Sequence, residues 1–82
     1  MAFNMRDEFI KASRIHYKAM IERHKMNVEN LINNSVGVAE HPDVMDSVEK
    51  ELGIMAEYDD KLAVLEKYFG RDFGEGKTLL NE

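Results

Sequence analysis

The sequence predicts an all-α fold: an antiparallel two-helix hairpin that pairs into a four-helix bundle or a higher oligomer, with a flexible Gly-rich tail behind it. Three observations predict it. Apolar residues recur at three- and four-residue steps through two long stretches. A short Asn- and Gly-containing break, followed by the only proline, separates those stretches. From Gly70 three glycines fall within seven residues, which ends any helix.

The first helix is expected over about residues 4–33, where neither Gly nor Pro occurs. Ile10, Tyr17, Met20, Ile21, His24, Val28, Leu31 and Ile32 form one apolar stripe, and Phe9 and Ala12 widen it at the start. Asn4 is placed as the N-cap, with Asp7 and Glu8 in the first turn, where acid suits the helix dipole. Asp7 and Lys11, Lys18 and Glu22, and Lys25 and Glu29 stand at i,i+4, worth a few tenths of a kcal/mol each.

The break runs from Asn33 to Glu40. Asn33 or Asn34 is expected to end the helix in the left-handed conformation, and Gly37 to let the chain turn. Pro42 then suits the first turn of the second helix, where its missing N–H is no loss. That helix is expected over about residues 42–69, with Asp43 and Asp46 at the positive end of its dipole. Met45, Val48, Leu52, Met55, Tyr58, Leu62, Leu65 and Phe69 make a heptad-like seam. Gly53 interrupts it at a cost of about 1 kcal/mol, with a close helix–helix approach as the ordinary explanation. Tyr58 is expected to face inward, leaving Asp59 at the rim.

Two helices of roughly equal length and a short loop favour an antiparallel hairpin over residues 1–69. Charge divides between its halves. Residues 1–34 carry six Lys or Arg against four acids, whereas residues 41–69 carry three Lys against eight acids. Facing flanks should therefore attract, which sets register more than it adds stability. Residues 70–82 are read as the flexible tail, in which Phe73, Leu79 and Leu80 can dock on a neighbour.

Composition narrows function. Eighty-two residues make one domain at most, with a marginal core of its own. Small domains rely on disulfides, metals or partner chains. There is no cysteine, which excludes disulfides and thiol catalysis and leaves oligomerisation as the common route. A net charge of −5 argues against non-specific nucleic-acid binding, which depends on Lys and Arg releasing counterions. No apolar run approaches the roughly 20 residues of a membrane span. Arg6, Asp7 and Glu8 interrupt any secretory leader pattern, so a cytoplasmic protein is expected.

Motifs for chemistry give little. Gly74-Glu75-Gly76-Lys77-Thr78 ends like a phosphate-binding loop, but the first Gly would have to stand at Arg71 and no strand precedes it. His16 and His24 are eight residues apart, too far for the i,i+4 pair of a helical zinc site. His24 on the apolar stripe reads as a hydrogen-bonded seam residue, and His41 as part of the turn before helix two. Glu49, Glu51, Asp59 and Asp60 read as a solvated acidic face rather than a general acid/base pair. Ser13 lies near His16 without an orienting third group. Met20, Met26, Met45 and Met55 lie on or near the apolar faces and read first as gap-fillers in a helical core and second as an adaptable binding surface. No cofactor, metal or catalytic residue is expected.

One stretch carries a resemblance. Residues 36–43 (Val-Gly-Val-Ala-Glu-His-Pro-Asp), Glu49-Lys50-Glu51-Leu52, Ala56-Glu57-Tyr58-Asp59-Asp60-Lys61-Leu62 and Leu65-Glu66-Lys67-Tyr68-Phe69 resemble short, uncharacterised proteins of tailed phages of marine cyanobacteria. The likeness spans roughly residues 14–69 and leaves out the tail. It implies a helical fold and a phage setting, in the virion or the host cytoplasm, and no activity.

The expected function is non-enzymatic: helix-mediated self-association or protein–protein interaction, structural or assembly-related. The expected interaction surface is Ile10, Tyr17, Ile21, His24, Val28, Leu31, Met45, Val48, Leu52, Met55, Leu62, Leu65 and Phe69. A homo-oligomer is expected, a dimer first, because one hairpin cannot cover both stripes. The alternative is a regulatory binder of a host or phage protein. A weaker alternative is nucleic-acid contact through the basic residues of helix one.

Overall fold

The computed structural model describes residues 3–34 and 42–70. Two helices account for nearly all of them: α1 over Met5–Asn33 and α2 over Pro42–Phe69. They pack against each other as a hairpin. Side-chain pairs fix the antiparallel sense. His24 meets Glu51, Tyr17 meets Tyr58 and Arg14 meets Glu66, so moving back along α1 moves forward along α2.

Local chemistry explains the ends of α1. Asn4 has extended backbone, and its side-chain oxygen accepts from the Asp7 N–H at 3.1 Å. That satisfies one of the donors a helix start leaves open. At the other end Asn34 has φ −108°, so the left-handed termination expected of Asn33 or Asn34 does not occur. Asn34 instead donates its backbone N–H to the Asn30 carbonyl at 3.0 Å, and its side-chain amide donates to the same carbonyl. The amide closes the helix without needing positive φ. α2 begins at Pro42 with Asp43 in its first turn and Lys67 in its last, each on the favoured side of the dipole.

The inter-helix seam follows steps of four and three. On α1 it is Ile10, Arg14, Tyr17, Ile21, His24, Val28 and Leu31; on α2 it is Val44, Val48, Glu51, Met55, Tyr58, Leu62 and Leu65. All are half-buried. None of the described apolar side chains is fully buried, because a single pair of helices encloses nothing.

This seam corrects four expectations. Met45 and Leu52 are not in it but are 74% and 50% exposed, whereas Phe69 keeps its spacing, four residues after Leu65, and is 50% exposed at the end of α2. Counting apolar residues passes over Glu51 to Leu52, yet Glu51 is the one that turns inward, because His24 and Asn27 supply it with donors. Phe9 and Ala12 likewise face solvent rather than widening the packed stripe, and Ile32, expected within the stripe, is exposed as well. Met26 and Met45 are exposed, whereas Met20 and Met55 are half-buried. Gly53 marks no close approach: it is exposed, and a Cβ built on it meets no atom within 4 Å. Tyr58 does turn inward and Asp59 is exposed.

The loop residues Ser35, Gly37, Glu40 and His41, the sequence Gly74-Glu75-Gly76-Lys77-Thr78, and Phe73, Leu79 and Leu80 lie outside the described residues.

Candidate interaction surface

The hairpin's polar contacts hold its register. His24 Nδ1 lies 2.5 Å from Glu51 Oε1, and the Asn27 side-chain amide donates to the same oxygen at 3.0 Å. A carboxylate accepts only, so Nδ1 carries the proton in this pair. The two donors, His24 foremost, hold the Glu51 carboxyl below its ordinary pKa. Near the open end, Arg14 reaches Glu66 through Nε at 2.5 Å and a terminal nitrogen at 3.2 Å. A forked pair of this kind fixes position as well as charge. Between them His16, Tyr17 and Tyr58 cluster with ring centroids 5.7–6.0 Å apart. Lys61 lies over the Tyr58 ring at 4.9 Å. Its hydrogen bond to Glu57 raises its pKa.

Among the described residues, no three His, Asp or Glu side chains gather as a metal site. No described helix is long and apolar enough to cross a membrane. Of the basic residues on α1, Arg6 lies 3.9 Å from Asp7, Arg14 pairs with Glu66, and Lys25 lies 4.0 Å from Glu22. Lys25 was expected opposite Glu29, which instead accepts from Asn33.

The residues singled out from sequence separate into two sets. Ile10, Tyr17, Ile21, His24, Val28, Leu31, Val48, Met55, Leu62 and Leu65 lie along the seam between the helices. Met45 and Leu52 lie outside it and open to solvent, and Phe69 continues its spacing at the exposed end of α2. Sequence reasoning missed Arg14, Val44, Glu51, Ile54 and Glu66, all half-buried. A strict four-three count from Val44 finds Glu51, and a matching count from Ile10 finds Arg14.

One side of the hairpin carries its apolar groups near the loop. Ile32, Val44, Met45, Val48 and Leu52, with Asp46 and Glu49, line an open groove near the loop end. Ile21, Leu52, Met55, Ala56 and Asp59 continue it along the same side. Seven-residue steps return to the same side of a helix in a bundle of this kind. On α1 the line through Ile32 is therefore Lys11, Lys18, Lys25 and Ile32. On α2 the line through Leu52 is Met45, Leu52, Asp59 and Glu66. By the same count the opposite edge holds Ser13, Met20, Asn27 and Asn34 on α1 and Ser47, Ile54, Lys61 and Tyr68 on α2, so it also bears apolar groups but lacks the facing basic and acidic lines of the first side.

A second exposed apolar line runs along the back of α1, away from α2. It comprises Met5, Ala12, Ile15, Ala19 and Met26, with the three larger side chains 57–67% exposed. No family model, curated protein or solved structure matches the chain.

Proposed function

We propose that this protein acts by association through its helix faces, as a small non-enzymatic structural or assembly component whose first partner is another copy of itself. The observation that carries the reading is the absence of any fully buried apolar side chain among the described residues, beside large apolar groups left open to water. Stable domains bury such faces between two layers, and a hairpin is only one. A second hairpin laid on the first completes a four-helix bundle with helices crossing near 20°. Sedimentation equilibrium across a range of micromolar concentrations tests this. A mass of two or more chains is expected, and a folded monomer throughout would sink the proposal.

The exposed line along the back of α1 favours a second reading, a binder of another protein. Met5, Ile15 and Met26 recur there at spacings a partner helix can grip. The phage setting, proposed on sequence resemblance alone, gives the test its material. Capture from infected cells separates the readings: virion components among the partners favour assembly, a host enzyme favours regulation.

A further inference from the structure

From the apolar and charged halves of one side of the hairpin, we infer both the face by which two copies pair and the direction in which they pair. The inference rests on the self-association proposed above and specifies its geometry. The face is the side bearing Ile32, Met45 and Leu52 near the loop, with Lys25 beside Leu52 and Lys11, Lys18, Asp59 and Glu66 further away.

Two such faces can meet about a two-fold axis in two ways. With the axis along the helices, both loop ends lie together. Apolar half then covers apolar half, and α1 of each copy runs antiparallel over α2 of the other. With the axis across the helices, α1 lies over α1, and each apolar half meets a charged half. The first arrangement lays Met45 over the copy's Ile32 and Leu52 beside its Lys25, and sets Lys18 opposite the copy's Asp59 and Lys11 opposite its Glu66. The second leaves Ile32 against the copy's Lys11 and Met45 and Leu52 against its Glu66 and Asp59, and sets basic line against basic line and acidic line against acidic line. Charge and burial therefore agree on the first.

A further observation supports it. Among the described residues Lys11, Lys18 and Asp59 form no ion pair within their own hairpin. Their charges remain available to a second copy. The wider imbalance points the same way, since α1 carries six Lys or Arg against four acids and α2 three Lys against eight acids. The occupant of the face is thus a second copy, placed so that all four helices have antiparallel neighbours.

The full chain contains no cysteine, so a single Asp43→Cys substitution at the start of α2 gives one unique label site. Spin labels there should lie about 20 Å apart, the width of a bundle, when loop ends coincide. They should lie about 40 Å apart, the length of α2, in the inverted arrangement. An oligomer with the longer distance overturns this inference and leaves self-association standing, whereas a monomer overturns both. Leu52→Lys should raise the dimer dissociation constant at least about tenfold with helix content unchanged. An unchanged constant overturns the face. Mixing Lys18→Glu chains with Asp59→Lys chains restores attraction only across copies, so heterodimers should exceed statistical proportion by at least about threefold. Statistical mixing overturns the placement of α1 over the copy's α2.

Discussion

Replacing Gly53 with alanine should stabilise this protein, and the size of the gain follows from the space around the residue. Gly53 sits in the interior of α2 and is exposed. Glycine there retains more freedom in the unfolded chain than alanine does, a helix penalty of about 0.5–1 kcal/mol. A gain appears only when the added methyl finds room. The Cβ built at this position meets nothing within 4 Å, so no steric term opposes the change. Exposure also means that no burial is added. The net expectation is about 1 kcal/mol of stabilisation, or roughly 4–8 °C in melting temperature for a domain of this size. Thermal melts followed by circular dichroism should be run at one fixed chain concentration, because association shifts the midpoint. Ala63→Gly, also at an exposed position of α2, should cost about the same amount. A loss of stability in Gly53→Ala would refute the reasoning, since it requires something packed on Gly53 that the hairpin itself does not supply.

Acid should weaken the hairpin through Glu51. Its folded-state pKa is lowered, so its contribution is present above the unfolded carboxylate value and is lost as pH falls through the folded one; urea midpoints between pH 7 and pH 3 should drop less in Glu51→Gln. Asn4→Ala removes the acceptor for the Asp7 N–H and should cost about 1 kcal/mol, measured by the same titration. Arg14→Lys should not substitute for arginine, because lysine cannot reproduce the fork on Glu66; a loss of up to about 1 kcal/mol that shrinks in high salt is expected.

The extent of each helix was legible because its ends carry their own chemistry. Asn4 with Asp7 announces the start of α1 and Pro42 the start of α2, through groups within one turn. The hairpin itself followed from two periodic stretches and a short break. The seam of α2 was less legible, because α2 carries two apolar lines one residue apart. Val44, Val48, Met55, Leu62 and Leu65 belong to the inner line, and Met45 and Leu52 to the outer. Hydrophobicity alone ranks Leu52 above Glu51. The preference reverses only once His24 and Asn27 stand opposite, and their position depends on the register of the hairpin as a whole. Gly53 was misread for a related reason: its neighbours in space are set by the same rotation of α2.

His24 and Glu51 interrupt an otherwise mostly apolar stretch of seam, and such a pair is a poor source of stability but a good source of register. Their side chains are only 12% and 19% exposed, so each has given up most of its water for the other. Breaking the pair from one side, as in His24→Leu, leaves the Glu51 carboxylate short of a donor and should destabilise the hairpin. Changing both, in His24→Leu with Glu51→Leu, removes that penalty and adds apolar contact, so stability should return to the starting value or exceed it. If the pair sets the register, the double variant should lose uniqueness while keeping stability. Amide signals should then broaden or double around Tyr17 and Tyr58, whose rings meet only in the present register. A double variant that is stable and gives one sharp set of signals would show that the apolar steps and the Arg14–Glu66 fork hold the register without it. A double variant no more stable than His24→Leu would mean that the seam cannot repack around two leucines. The face open to a second copy depends on the same register, because turning α2 by one residue would carry Leu52 into the seam and Glu51 out of it.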